Sequence, residues 1–352
     1  MIASMATRHI AVIPGDGVGP EVAAEALPIL HWARGRGRDL AWEVWPHGAD
    51  HTLATGEVLP DADFLRLRDG FDGILFGAVG DPRIPDGRHA EGLLLRLRQD
   101  LELGVNLRPC HPVLDTHVPL KGVPADAVRV DVYRENTEGP YCLKGSTRPD
   151  LAEDVATHSR VAVTRLLRSA FEGARARGCG LVLAHKANVL KHGHRLWMEV
   201  FAALGPEFPD VQARGMHADA LLCALVQDPR PFGVIAADNL FGDLISDLLA
   251  AFQGGMGVAP SLSYAPHRPW RCGALAESVH GSAPDLAGLG TANPTGMILS
   301  LGMLLRHLGW VPEAESVEAS VRAALEAGAA TPDLGGALGT AEMGRALRAG
   351  LA

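Results

Sequence analysis

Aromatic residues are scarce in this chain. Phe, Trp and Tyr make up 5% of the 352 residues. The interior must therefore be filled by Leu, Val, Ala and Ile, which suits packed helices and parallel strands. Cysteines are few, odd in number and scattered: Cys110, Cys142, Cys179, Cys223 and Cys272, with no CxxC pair. That argues against a disulfide frame and a cysteine zinc site, and for free thiols in a reducing cytoplasm. A basic balance is also missing. The net charge of −9 argues against a general nucleic-acid surface and otherwise reports solubility. No stretch of about 18 apolar residues occurs, so no membrane span is expected. The N-terminal MIASMATRHIAVIPGDG lacks the apolar core and cleavage signature of a signal peptide. Internal repeats and low-complexity linkers are absent.

What is present is a chain with 47% hydrophobic and 21% charged residues, long enough for two domains. Short apolar runs alternate with amphipathic segments. Strands are predicted at 9–15, 71–80, 127–135, 180–186 and 232–238. Helices are predicted at 20–33, 89–101, 153–178, 293–309 and 317–329. Strand–helix alternation over the whole length predicts an α/β protein with a largely parallel sheet. IPGDGVGP (13–20) places glycines between a strand and a helix, but Pro20 stands where GxGxxG needs its last glycine. A tight glycine turn is expected there, not an ordinary Rossmann phosphate loop.

The most telling run is AADNLFGDLISDLLAAF (236–252). Asn239 and Gly242 are read as breaking the apolar run just before a helix. Within it Asp243 and Asp247 are four residues apart, which stacks both carboxylates on one face. They are either a solvated polar face or a pair whose repulsion is relieved by an oxygen-preferring divalent cation, Mg²⁺ or Mn²⁺. Arg98, Arg108 and Arg134 are either surface and structural arginines or forks for carboxylates. Arg134 ends a predicted strand, where α/β proteins place ligand groups. Tyr141 follows in a loop with Gly139 and Pro140. Lys186 closes the strand GLVLAHK and is either a base or a lysine reaching for solvent. Asp219, at a predicted helix start, either answers the dipole or binds a ligand. The Gly-, Ser- and Pro-rich loop 277–294 exposes backbone N–H groups beside Asp285 and Asn293.

Taken in order, IPGDGVGPEV, GAVGDP, LLLRLR with NLRP, RENTEGPY, HKANVL with RLW, NLFGDLISD and VHGSAPD with ANP resemble the β-decarboxylating dehydrogenases. These enzymes act on 3-isopropylmalate, isocitrate, homoisocitrate and tartrate or D-malate, and the match covers about residues 8–310. The resemblance implies their two-domain α/β fold, which is not an ordinary Rossmann fold. It implies a cofactor-binding domain from 1–103 plus 254–352, and a dimerisation and metal/substrate domain from 104–253. It further implies a homodimer with shared active sites acting on a small hydroxy-diacid substrate. Arg98, Arg108 and Arg134 would hold carboxylates. Asp243 and Asp247, with Asp219 of the second subunit, would hold Mg²⁺ or Mn²⁺. Lys186, also from the second subunit, would be the base and Tyr141 the acid. Glu277, His280, Gly281, Ser282, Ala283, Asp285 and Asn293 would face the cofactor, and Asp285 favours NAD because it would repel a 2′-phosphate.

Leu94, Leu95 and Val189 match an apolar substrate pocket. They lean toward the isopropylmalate branch and against isocitrate, without excluding tartrate, D-malate or homoisocitrate. Departures include Ser278 where the family has Pro, Ala218 where a β-branched residue is common, and an apparently long loop at 261–276. They leave room for a paralogue with a related substrate. A non-catalytic regulatory homologue would lack an acid, a base or a metal ligand, and none is missing here.

Overall fold

The structure, a computed structural model, describes residues 7–351. The reading of the first six residues as part of no signal peptide lies outside the described residues. The chain forms two compact units. One comprises Met1–Leu101, Gly254–Leu262 and His267–Ala352; the other comprises Glu102–Gln253 and Ser263–Pro266.

In the first unit the strands Leu40–Val44, Arg8–Gly15, Gly73–Ala78 and Ala274–Ser278 lie side by side in that order, each pair parallel. GILFGA is buried at every position, as expected of a parallel strand covered on both faces. Helices Gly19–Gly35, Thr295–His307, Val311–Glu326 and Thr340–Arg348 supply the cover. The glycine turn is tight, as expected. Gly17 sits at φ 58°, and a Cβ on it would come within 1.9 Å of the Ser282 carbonyl oxygen. Asp16 staples the turn, accepting from the N–H of Ala49 at 2.6 Å and of Gly80 at 2.9 Å. The expected helix at 89–101 is present, but its Glu91–Leu95 stretch is a π-helical turn that leads into Arg96–Asp100.

In the second unit the order is Val105–Cys110, Val130–Glu135, Val234–Ala237, Leu181–His185, Ala213–His217. The first pair is antiparallel and the rest are parallel. Alternate strand residues feed two cores. Leu181, Leu183, Val234 and Ala236 pack with Leu166, Phe171, Trp197 and Phe201 of helices Arg160–Arg177 and Gly193–Leu204. Val182, Ala184, Ile235 and Ala237 pack with Leu221, Leu225, Ile245 and Leu249 of helices Ala218–Gln227 and Asn239–Phe252.

Three expectations need correction. The predicted helix at 153–178 begins only at Arg160, because Ser159 caps it by accepting the Ala162 N–H at 3.2 Å. Leu151–Asp154 instead forms a hairpin with Gly145–Arg148 whose residues are all exposed. Asn239 and Gly242 do not precede the aspartate helix but lie in its first turn, since the cap is Asp238. The expected loop 261–276 is strand at both ends, Pro260–Tyr264 and Ala274–Ser278, and only residues 265–273 form the connection. In that connection the Arg68 guanidinium lies 4.3 Å from the Trp270 ring centre, and Cys272 is fully buried. Among the described residues no helix is long and apolar enough to cross a membrane.

Candidate active site

The second unit assembles a dense ionic cluster on the Asn239–Phe252 helix. Asp238 Oδ1 accepts the Phe241 N–H at 2.8 Å and starts the helix. Gly242 follows, and a Cβ there would lie 2.7 Å from Arg134 Cγ. The missing side chain lets Arg134, only 1% exposed, lie flat against the helix. Arg134 Nη1 donates to Asp243 Oδ1 at 2.6 Å, Nη2 to Asn239 Oδ1 at 2.6 Å, and Nε to the Asn239 carbonyl at 2.9 Å. Arg108 Nη1 lies 3.3 Å from Oδ1 of both Asp243 and Asp247 and donates to Ser246 Oγ at 2.9 Å. Its Nε donates to Asn106 Oδ1 at 2.8 Å. Tyr141 donates its phenol proton to Asp243 Oδ2 at 2.6 Å, and its ring lies 5.0 Å from the Arg134 guanidinium.

Of the predicted residues, then, Arg108, Arg134, Tyr141, Asp243 and Asp247 meet in one place. Asp247 remains the more open carboxylate, its side chain 46% exposed. Burial and, next, the Asp243 charge hold its carboxyl above the usual range, while Arg108 and Arg134 pull the other way. Such a face, two arginines against two stacked carboxylates with one carboxylate open, suits a hard cation and an anionic ligand arriving together.

Lys186 and Asp219 form a separate pair, Nζ to Oδ1 at 2.6 Å. The Lys186 hydrogen bond holds the exposed Asp219 carboxyl below its ordinary range. Within one chain Asp219, Asp243 and Asp247 are not gathered into a ligand set. The set that is gathered among the described residues is His158, His194 and Asp238, with ligand atoms within 4.8 Å of one another. Hydrogen-bond direction decides what it is. The Lys186 backbone N–H donates to His194 Nδ1 at 3.0 Å, and the Trp197 indole N–H donates to His158 Nδ1 at 3.2 Å. Both donors are donors only, so each neutral ring carries its proton on Nε2. A histidine metal ligand needs that proton on the other nitrogen, donating outward. The cluster is therefore a hydrogen-bond network.

In the first unit Arg98 is buried against Glu277, Nη2 to Oε1 at 2.6 Å, and its Nε is buried with no hydrogen-bond partner among the described residues. Leu94 and Leu95 are half-buried on the same helical stretch, and Val189 of the second unit is 63% exposed. The loop after Glu277 is open. Gly281 and Asp285 are exposed, Ser282 is buried, and Ala283 holds a left-handed φ of 40°. His280 Nε2 is buried with no hydrogen-bond partner among the described residues, and burial depresses the ring's pKa. Asn293 donates to Asp333 Oδ2 at 3.1 Å and accepts the Thr295 N–H at 3.0 Å.

Sequence reading missed Asn106, Asn239, Ser246, His194 and Asp238. Asn239 and Ser246 flank the aspartates at helical spacing and could have been found from that. Asn106 comes two residues before Arg108 on one strand, and so on the same face. His194 carried only a weak signal, a histidine in HGHRLW.

The family model for isocitrate/isopropylmalate dehydrogenase matches residues 9–347, and the chain belongs to that family. A 3-isopropylmalate dehydrogenase of Thermobifida fusca is 44% identical over 325 residues, 90% of this chain and 91% of the relative. The isocitrate dehydrogenase structure from Methylococcus capsulatus superposes with a TM-score of 0.89 at 33% identity, covering 98% of this chain and 99% of that one. A β-decarboxylating dehydrogenase from Thermococcus kodakarensis gives 0.78 at 35% identity, covering 98% and 96%.

Proposed function

We propose that the chain is an NAD-dependent, metal-requiring dehydrogenase that oxidatively decarboxylates 3-isopropylmalate to 4-methyl-2-oxopentanoate and CO₂, the step used in leucine biosynthesis. The observation that carries this reading is Asp243, held by Arg134, Arg108 and Tyr141 one helical turn from the open Asp247. The relatives' names supply the substrate.

The residues fit both absent groups. The candidate metal donors are carboxylate oxygens only, the set preferred by Mg²⁺ and Mn²⁺. Asp243 and Asp247 would hold the ion, with Asp219 of a second copy. When bound, the ion supplies a Lewis acid for the substrate hydroxyl and for the enolate that forms on CO₂ loss. For the dinucleotide, the unsatisfied His280 Nε2 offers a polar contact, the loop 281–285 offers open backbone, and Asp285 offers an acceptor for ribose hydroxyls. NAD, when bound, supplies the hydride acceptor.

The chain's own groups do the rest. Arg108 and Arg134 hold the malate carboxylates by charge and fix the molecule's orientation. The buried, unbonded Nε of Arg98 is a further donor that a carboxylate oxygen would satisfy. Lys186 of a second copy takes the hydroxyl proton as C2 is oxidised. After the β-carboxylate leaves, Tyr141 turns its phenol proton from Asp243 Oδ2 to the enol carbon. Leu94, Leu95 and Val189 offer apolar contact to the isopropyl group. Arg108 and Asp243 also fit a D-malate or tartrate, so the side group is tested separately from the chemistry.

The acting form is a homodimer. The 145–154 hairpin is exposed along its whole length, and a two-stranded hairpin is marginal unless something covers it. Leu143, Leu151, Val155, Leu240 and Leu244 are exposed apolar side chains in the same unit.

NADH release with Mn²⁺ and a panel of 3-isopropylmalate, D-malate, tartrate, isocitrate and homoisocitrate tests the reading. Preference for 3-isopropylmalate supports it. Preference for another hydroxy diacid overturns the substrate and leaves the mechanism. No turnover with any of them points to a regulatory homologue. Light scattering that returns a monomer would overturn the shared site.

A further inference from the structure

The buried network around His194 joins two parts of the proposed machinery. Lys186 follows the strand Leu181–His185, and its backbone is held on both sides. Its carbonyl accepts the N–H of Val189 at 2.9 Å and of Leu190 at 2.8 Å. Its N–H goes to His194 Nδ1 at 3.0 Å. His194 is 1% exposed, lies edge-on to Phe241 at 5.6 Å between ring centres, and passes its Nε2–H to Asp238 Oδ2 at 3.2 Å. The other oxygen of Asp238 caps the helix that carries Asp243 and Asp247. His158 completes the packing, and its ring fits only because Gly193 has no side chain: a Cβ there would lie 2.4 Å from His158 Cδ2.

We infer that His194 is a positioning residue, fixing the backbone of Lys186 through Nδ1 and tying it through Asp238 to the start of the aspartate helix. The inference rests on the reading of Lys186 as the base. Lys186 carries its amine on a long flexible stem, so its aim depends on where its backbone is anchored. A misplacement of about 1 Å can cost on the order of 10²-fold in rate. An imidazole suits the task because it presents an acceptor and a donor on opposite sides in one rigid ring.

Three variants of the full-length enzyme separate the two halves of the link. His194→Asn keeps an acceptor near the Nδ1 position, His194→Gln keeps a donor near the Nε2 position, and His194→Phe keeps neither. With saturating Mn²⁺ and NAD, His194→Phe should lower kcat by about 10- to 100-fold with little change in KM for the hydroxy acid. His194→Asn should recover most of that loss and His194→Gln should not. Without substrate or metal, hydrogen exchange at the Lys186 amide should quicken in the Phe and Gln variants and stay slow in Asn. Unchanged kcat in His194→Phe, or equal losses in Asn and Gln, would overturn the inference. Should His194→Phe fail to fold, the Asn–Gln contrast decides alone. Lys186→Met, measured alongside, keeps the claims apart: full turnover there sinks the base reading, while the amide exchange still reports whether His194 holds the Lys186 backbone.

Discussion

The aspartate helix of the second unit and the loop after Glu277 in the first prepare their charged groups in opposite ways. In the second unit Asp243 is already gripped by Arg134 and Tyr141 at 2.6 Å each. In the first unit Asp285 stands exposed on its loop. Burial explains the contrast. Arg134 is 1% exposed, and a guanidinium at that depth would carry a large desolvation penalty without a carboxylate. Asp285 keeps its water and needs no counter-charge. A buried cluster must therefore be assembled before its ligand arrives, whereas an exposed loop can stay open until one binds.

The largest effect should come from striking the assembled side. Asp243→Asn should reduce kcat by about 10³-fold at saturating Mn²⁺, because it weakens both the cation site and the arginine network. NADH formation measures it, and turnover within tenfold of wild type would show the cluster to be structural only. Next comes the open side's scaffold. Gly17→Ala combines a left-handed φ with a clash on the Ser282 carbonyl and should cost about 3 kcal/mol. Thermal unfolding would show the loss, and an unchanged midpoint would mean that the turn shifts freely.

Asp285→Lys should then relax discrimination against NADP by about tenfold, or 1.4 kcal/mol. The ratio of kcat/KM for the two dinucleotides reads it out, and an unmoved ratio would place the ribose elsewhere. The smallest effect belongs to Asp72, a buried carboxylate. Burial works against its charge, but Arg271, the His9 N–H and Arg8 outweigh that and depress its pKa. Its stabilisation is therefore present above the ordinary carboxylate range and is lost as pH falls through the depressed value. Asp72→Asn should lower stability by about 1 kcal/mol near pH 7. Urea titrations should show that deficit shrink as pH falls below the ordinary carboxylate range, and a deficit that grows in acid would reverse the sign.

Much of the fold was legible because buried parallel strands are short apolar runs: GILFGA and VIAA could hardly be anything else. The misreadings have a common cause. In DLAEDVATHSR the strand residues are solvated on both sides, so no periodicity separates them from the long helix that follows. Asn239 and Gly242 read as breakers because propensity speaks against them. Their real constraints, the Arg134 fork and the close approach of its stem, come from a strand over a hundred residues earlier. The candidate site was legible mainly as ordered motifs. Residue types alone left Asp243, Arg134 and Lys186 open between inert and chemical roles, since what distinguishes those roles is who sits opposite.

The π-helical turn at Glu91–Leu95 takes up one residue more than a regular turn before the helix resumes at Arg96. Each residue of an α-helix turns the chain by about 100°, and a π-turn absorbs an extra residue without passing that rotation on. Removing one residue inside the turn would let the segment close into a regular helix with Arg98 still facing Glu277, whereas removing Arg96 or Leu97 would swing Arg98 away. The tolerance of this helix to deletion therefore depends on which side of Arg96 the residue is lost.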